Sequence, residues 1–236
     1  MSTTERIPSA PRRPLTPQEV AAWFELQRAT VEQVHPSWLP GLAAELVVAA
    51  RRTPTGRRWL ANQLSTVTPL LFGLPSGVGP ASVHELYDLG WFRAALREPL
   101  ERALDLGSLL LAARLRTVVS RSAVTHLRTM LGVQRYEHAL TASSGNVVTP
   151  DVPRVAMQTS DEVDVLVGQM LHHGAHELAG YAAHLHPALA QSVKLSFERN
   201  WWSCAYPTLL HPDTVAACLG RGDSSSPPSA DGGGNT

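Results

Sequence analysis

Three stretches of the chain share one signature: Ser or Thr, then Glu three residues later, then apolar residues spaced by three and four. Thr16-Pro17-Gln18-Glu19, Ser82-Val83-His84-Glu85 and Thr159-Ser160-Asp161-Glu162 read as capping boxes. In such a box the hydroxyl accepts from the backbone N–H three residues on, while the carboxylate reaches back, so each commits the residues behind it to a helix. Behind the first, Val20, Phe24, Val31 and Val34 fall on one face, Pro17 takes the first helical position, and His35-Pro36 ends the run. The third opens a helix reaching roughly His184, with Val163, Leu166, Met170, Leu178 and Leu185 in period and Pro187 ending or restarting it.

Apolar periodicity adds further helices over residues 38–51, from Thr55 through Leu64, and behind the second box through Trp91, Ala94 and Ala95. The longest helical pattern runs over residues 100–119. There Leu100, Leu104, Leu110, Ala113 and Val118 mark a buried central helix. Residues 122–131 form a short helix stopped by Gly132, and 136–140 one or two turns more. Residues 69–80 read as a loop. The stretch 141–160 is the least helical, with Val147-Val148 and Val155-Ala156-Met157 as short strand candidates. Residues 189–219, including Trp201-Trp202, make the last folded piece. Trp201-Trp202 reads either as core or as an exposed aromatic pair at an interface. The expectation is an all-α protein of about eight helices: a single compact domain over 16–219, a flexible Pro/Arg-rich arm at 1–15, and a disordered Gly/Ser/Pro tail at 220–236.

Composition excludes several classes. At 44% hydrophobic and 17% charged, the 236 residues are too apolar for a disordered chain and too weakly charged for a coiled-coil rod. The best apolar run, 107–113, is closed by Arg114, well short of the roughly 18 residues a membrane span needs. The start has no apolar core of a signal peptide, and Cys204 and Cys218 make no disulfide framework, so the expectation is a cytoplasmic protein without membrane insertion. A net charge of zero conceals polarity: 16 Arg against 10 acids up to residue 135, then 4 basic residues against 10 acids. Such a chain either packs one half on the other or offers partners two faces of opposite sign.

Chemical motifs are sparse. His172, His173, His176, Glu177, His184 and His186 lie within fifteen positions, and His172 and His176 stand i,i+4 on one helix, the spacing of two metal ligands. The HExxH pattern fails because Gly180 stands where the second His would be, and HxxEH fails because Glu177 follows His176. The residues therefore read as polar-face and core-edge histidines first and as a metal pair second. Gly77-Val78-Gly79-Pro80 lacks the third glycine of a dinucleotide loop, and the sole lysine, Lys194, fits no phosphate-binding loop. Gly73-Leu-Pro-Ser76-Gly77 misses the nucleophile elbow by one position, Cys204 has no paired base, and Arg221-Gly222-Asp223 is an adhesion tripeptide by chance. Residues 124–140 have the helix, Leu-Gly turn and second helix of a helix-turn-helix, with Arg114, Arg116, Arg121, Arg128 and Arg135 around them. That leaves a DNA-binding regulator as the alternative to a structural helical corner.

The central region resembles a known family. Asp105-Leu-Gly-Ser-Leu-Leu-Leu-Ala-Ala-Arg-Leu-Arg116, Val118-Val119, Leu127-Arg-Thr-Met-Leu-Gly132 and Tyr136 with Ala139-Leu140 resemble the SctK (YscK/OrgA/MxiK) proteins. In these a long helix ending in Arg-x-Arg is followed by a short helix, a Leu-Gly turn and an aromatic-Ala-Leu step. Val167-Gly168-Gln169-Met170-Leu171 and Val193-Lys194-Leu195 echo the family's later helix, with Ser196-Phe197 where the family has proline. The resemblance spans roughly residues 91–195. It implies a non-enzymatic, all-α adaptor of the type III secretion sorting platform, a virulence-associated protein-transport apparatus. Such an adaptor is cytoplasmic, peripheral to the inner membrane, and contacts the cytoplasmic domain of the inner-membrane ring, the pod protein and the ATPase stator. It implies no catalytic, cofactor or metal residue and no nucleic-acid partner.

Overall fold

The computed structural model describes residues 16–72, 96–141, 160–203 and 208–220, and among them the chain is helical with no strand. In chain order the helices are α1 (Pro17–Gln33), α2 (Ala44–Arg51), α3 (Pro54–Val67), α4 (Pro69–Phe72), α5 (Pro99–Leu110), α6 (Ala112–Leu115), α7 (Arg121–Leu131), α8 (Val133–Thr141), α9 (Ser160–Leu185), α10 (Pro187–Leu195) and α11 (Pro212–Gly220). Short 3-10 turns cover Pro36–Trp38 and Arg199–Ser203. The second capping box, the strand candidates, the 141–160 stretch apart from its ends, the arm and the tail lie outside the described residues.

The centre is the crossing of α5 and α9. Both present small residues there, and the backbones touch: a Cβ on Gly107 would overlap the Met170 carbonyl, and one on Gly174 the Ala103 carbonyl. Such close approach lets flanking Leu106, Leu110, Leu166, Met170 and Leu178 interdigitate, each buried to 1% exposure or less. Burying a side chain of this size contributes about 1.5–3 kcal/mol. The longest helix is α9, not the 100–119 run, which breaks at Leu111 and resumes as the single turn α6. The inward face of α5 is Ala103, Leu106, Gly107 and Leu110, while Leu100 is half exposed.

The remaining helices pack around this pair. His186 interrupts α9, and its Nδ1 accepts from the Ala188 N–H to cap α10, which folds back on α9. α1 lies on α10 through the buried Thr30 and Ser192 hydroxyls, 2.6 Å apart. The inward stripe of α1 is Trp23, Leu26, Thr30 and Val31, continued by the buried Val34 just past its end, and Phe24 points outward. After α1, the His35 N–H donates to the Leu195 carbonyl and the Trp38 indole to the Phe197 carbonyl, tying the turn to the end of α10. The expected helix over 38–51 starts six residues late because Gly41, at φ 89°, turns the chain where only glycine is at ease. Ala123, Leu127 and Leu131 of α7 and Tyr136 and Ala139 of α8 complete one continuous apolar core running from Trp23 to Leu219.

Candidate functional site

The histidine-rich segment divides into separate jobs. His172, His173 and His176 lie half-buried on one side of α9, where the Arg199–Ser203 turn lays Trp201 and Trp202 over them. Ring centroids are 4.8 Å apart for His172 and His176, 5.2 Å for His172 and Trp201, and 4.6 Å for His176 and Trp202. His176 Nε2 lies 3.1 Å from the Trp201 carbonyl oxygen, and Phe197 stacks on Trp201 from behind. Lys194 places its ammonium 5.6 Å from the Trp202 ring centre. The tryptophan pair is thus half-buried packing against α9 and the core, not an exposed aromatic pair. His184 is exposed, and His186 is the buried cap of α10. Among the described residues no three His, Cys, Asp or Glu side chains are grouped as metal ligands.

The residue sequence reasoning passed over is Glu177. It is 2% exposed, and its two carboxylate oxygens accept from the Leu209 N–H (2.6 Å) and the Leu210 N–H (3.1 Å). This ties the segment before α11 to the middle of α9. A signal was present, since Glu177 falls seven residues after Met170, on the apolar period of its own helix.

Electrostatics at the cluster follow from burial. Desolvation, then the neighbouring His172, pushes the His176 imidazole down from its ordinary 6.5 to about 4. Burial also lowers His172, His173 and His186. Glu177 goes the other way, its carboxyl raised by burial against two backbone hydrogen bonds. The unfolded chain takes protons on these histidines near pH 6.5, and native His176 only near pH 4. Across that window the unfolded state binds more protons, so stability present above pH 6.5 is lost as pH falls. For Glu177 the native state holds its proton to higher pH than the unfolded one, so its contribution declines as pH rises through its native value and partly offsets the histidines. We expect a net loss of about 2 kcal/mol between pH 7 and pH 4, after discounting for solvent screening at the half-buried rings. Urea unfolding at the two pH values checks this. His176→Gln should flatten the dependence, and equal midpoints for the parent protein would contradict it.

The helix-turn-helix candidate is α7, Gly132 and α8. Gly132 alone joins the helices, at φ 79°, where a DNA-reading motif uses a turn of three or four residues. Three of the nearby arginines have partners within the fold, while Arg121 is exposed. Arg135 donates from Nε to Asp105 (2.6 Å) and from a terminal nitrogen to Glu101 (2.7 Å), and Arg102 lies 3.3 Å from the other Asp105 oxygen. Arg128 pairs with Glu137 at 3.0 Å, and Arg116 caps α8 through the Leu140 carbonyl. A groove of about 610 Å³ runs between α5 and α8 over this network, lined also by Gly132 and His138. Cys218 is buried, whereas Cys204, the glycine-bearing segment 73–80 and Arg221-Gly222-Asp223 lie outside the described residues. No described helix is long and apolar enough to cross a membrane. Comparison of the chain with protein-family models, curated proteins and solved structures gives no match.

Proposed function

We propose that this chain is a non-enzymatic adaptor of a type III secretion sorting platform, held beneath the inner-membrane ring and bound to its cytoplasmic domain and to the pod protein. The observation that carries the reading is where the family-like residues sit. Leu106, Gly107, Leu110, Leu115, Leu127, Leu131, Tyr136 and Ala139 are all buried where α5 to α8 and α9 pack together. The resemblance therefore lies on the positions that define the helical core. Charge polarity along the sequence suits a linker that meets partners on faces of opposite sign. The DNA-binding alternative gains no support from arginines already engaged with Asp105, Glu101 and Glu137. Affinity purification of the tagged chain from cells encoding the apparatus tests the proposal. Recovery of the ring and pod proteins at moderate salt is the expected result. Recovery of nucleic acid instead, lost at high salt, would contradict it and favour the regulator.

A further inference from the structure

We propose that His172 and His176 form a two-imidazole binding site for a late first-row divalent metal ion, Zn²⁺ or Ni²⁺. Both stand on α9 one turn apart, with ring centres separated by 4.8 Å and planes inclined at 60°. A metal bonded to an imidazole nitrogen at about 2.0–2.1 Å lies about 3.2 Å from the centre of that ring. Two rings spaced as these are can meet one such ion at an angle of about 100°, as tetrahedral and octahedral sites need. His176 Nε2 faces the Trp201 carbonyl oxygen at 3.1 Å. A carbonyl only accepts, so Nε2 carries the proton and the lone pair is left on Nδ1. A backbone carbonyl on the far ring nitrogen is how metal-binding histidines are commonly fixed in tautomer and orientation.

The turn of α9 that carries the pair is held on both sides. Between the two histidines, Gly174 lies against the Ala103 and Gly107 backbone of α5, and Ala175 is buried. Over the imidazoles, Trp201 lies 5.2 Å from the His172 ring and Trp202 4.6 Å from the His176 ring. Ligands fixed in advance lose little freedom when the ion binds. Both imidazoles are also unprotonated at neutral pH, as metal binding requires. Burial lowers His172, and burial together with His172 holds His176 down at about 4. The Lys194 ammonium, 5.6 Å from the Trp202 ring centre, adds to that shift and opposes any cation held by charge alone. The site therefore selects an ion that bonds to nitrogen over Mg²⁺ or Ca²⁺, which need oxygen ligands. Glu177 serves neither as ligand nor as base, because its two oxygens are engaged by the Leu209 and Leu210 N–H groups. His173 stands edge-on to His172 with centres 5.7 Å apart and is not counted among the ligands. Water completes the coordination, and the site binds rather than hydrolyses.

The inference goes beyond the adaptor reading and does not rest on it, so the purified full chain suffices for the test. Ni²⁺, which quenches nearby indoles, is titrated against tryptophan fluorescence, with Zn²⁺ as competitor and Mg²⁺ as control. The expected result is a saturable loss of part of the fluorescence at one ion per chain, because Trp201 and Trp202 lie on the two imidazoles. Zn²⁺ should reverse the loss, and Mg²⁺ should cause none. His172→Gln and His176→Gln should each weaken binding about tenfold or more. His184→Gln, at an exposed position of the same helix, should leave it unchanged. Circular dichroism verifies that the variants fold. In the parent chain, where no substitution disturbs the fold, Zn²⁺ should shift the imidazole nitrogen resonances of His172 and His176 and leave those of His184 in place. Absence of saturable binding up to ~100 μM Ni²⁺ would overturn the site. So would undiminished binding in a folded His172→Gln or His176→Gln variant. Zn²⁺ shifts of equal size at His184 would mean adventitious surface binding only and would overturn it too.

Discussion

Gly174→Ala is expected to destabilise the protein by about 3 kcal/mol or more, at the upper end of overpacking effects. The added methyl would overlap the Ala103 carbonyl and come within 2.8 Å of the Gly107 nitrogen. Both are backbone atoms, so no rotamer change relieves the contact, and α5 must move away from α9. That shift loosens the packing of Leu106, Leu110, Leu166 and Met170 together. Gly107→Ala meets the Met170 carbonyl in the same way. With total stabilities of about 5–15 kcal/mol typical of domains, the double variant should be unfolded at room temperature. Gly168, on the same helix, provides the control: it is exposed and a Cβ there would touch nothing within 4 Å. Gly168→Ala should raise stability by about 0.5–1 kcal/mol through helix propensity alone. Urea unfolding followed by circular dichroism separates the two, and equal midpoints for Gly174→Ala and Gly168→Ala would contradict the crossing.

Glu177→Ala carries the second large effect, a loss of about 2–4 kcal/mol. Two backbone donors, the Leu209 and Leu210 N–H groups, would remain without their acceptor beside a buried helix face. Glu177→Gln should cost about half as much, because its amide oxygen serves one donor while its own N–H groups face the other. Removing a charge that burial already disfavours offsets part of the loss in both variants. Hydrogen exchange over α11 (Pro212–Gly220) is the sharper readout, since that helix should open well before α5 and α9 in the alanine variant. Uniform exchange across all three would mean that Glu177 does not anchor it.

How much of the fold was legible depends on the range of the interactions. α1 begins directly after Thr16 and α9 at Ser160, where the sequence signals stand, and the prolines at 36 and 187 follow the ends of α1 and α9, because such signals act within one turn. Gly132 ends α7 as its sequence position requires. The face of the 100–119 run is legible only in part: Leu110 and Val118 are buried as the hydrophobic period requires, whereas the crossing itself is made by Ala103 and Gly107, which carry almost no hydrophobic signal. Leu100, the strongest apolar residue of the first turn, ends half exposed for the same reason. The candidate site is less legible still. Nothing near His172 or His176 in sequence announces that Trp201 and Trp202 will cover them. The charge of Arg135 is offset by Glu101 and Asp105, about thirty residues earlier in the chain, which only the fold brings beside it.

The position of the chain in the cell tests the proposed adaptor role most directly. In cells assembling the apparatus, a fluorescent fusion of the full chain should form discrete foci at the inner membrane that disperse when the ring protein is deleted. Uniform cytoplasmic fluorescence in the presence of the ring, or coincidence with the nucleoid, would contradict the account.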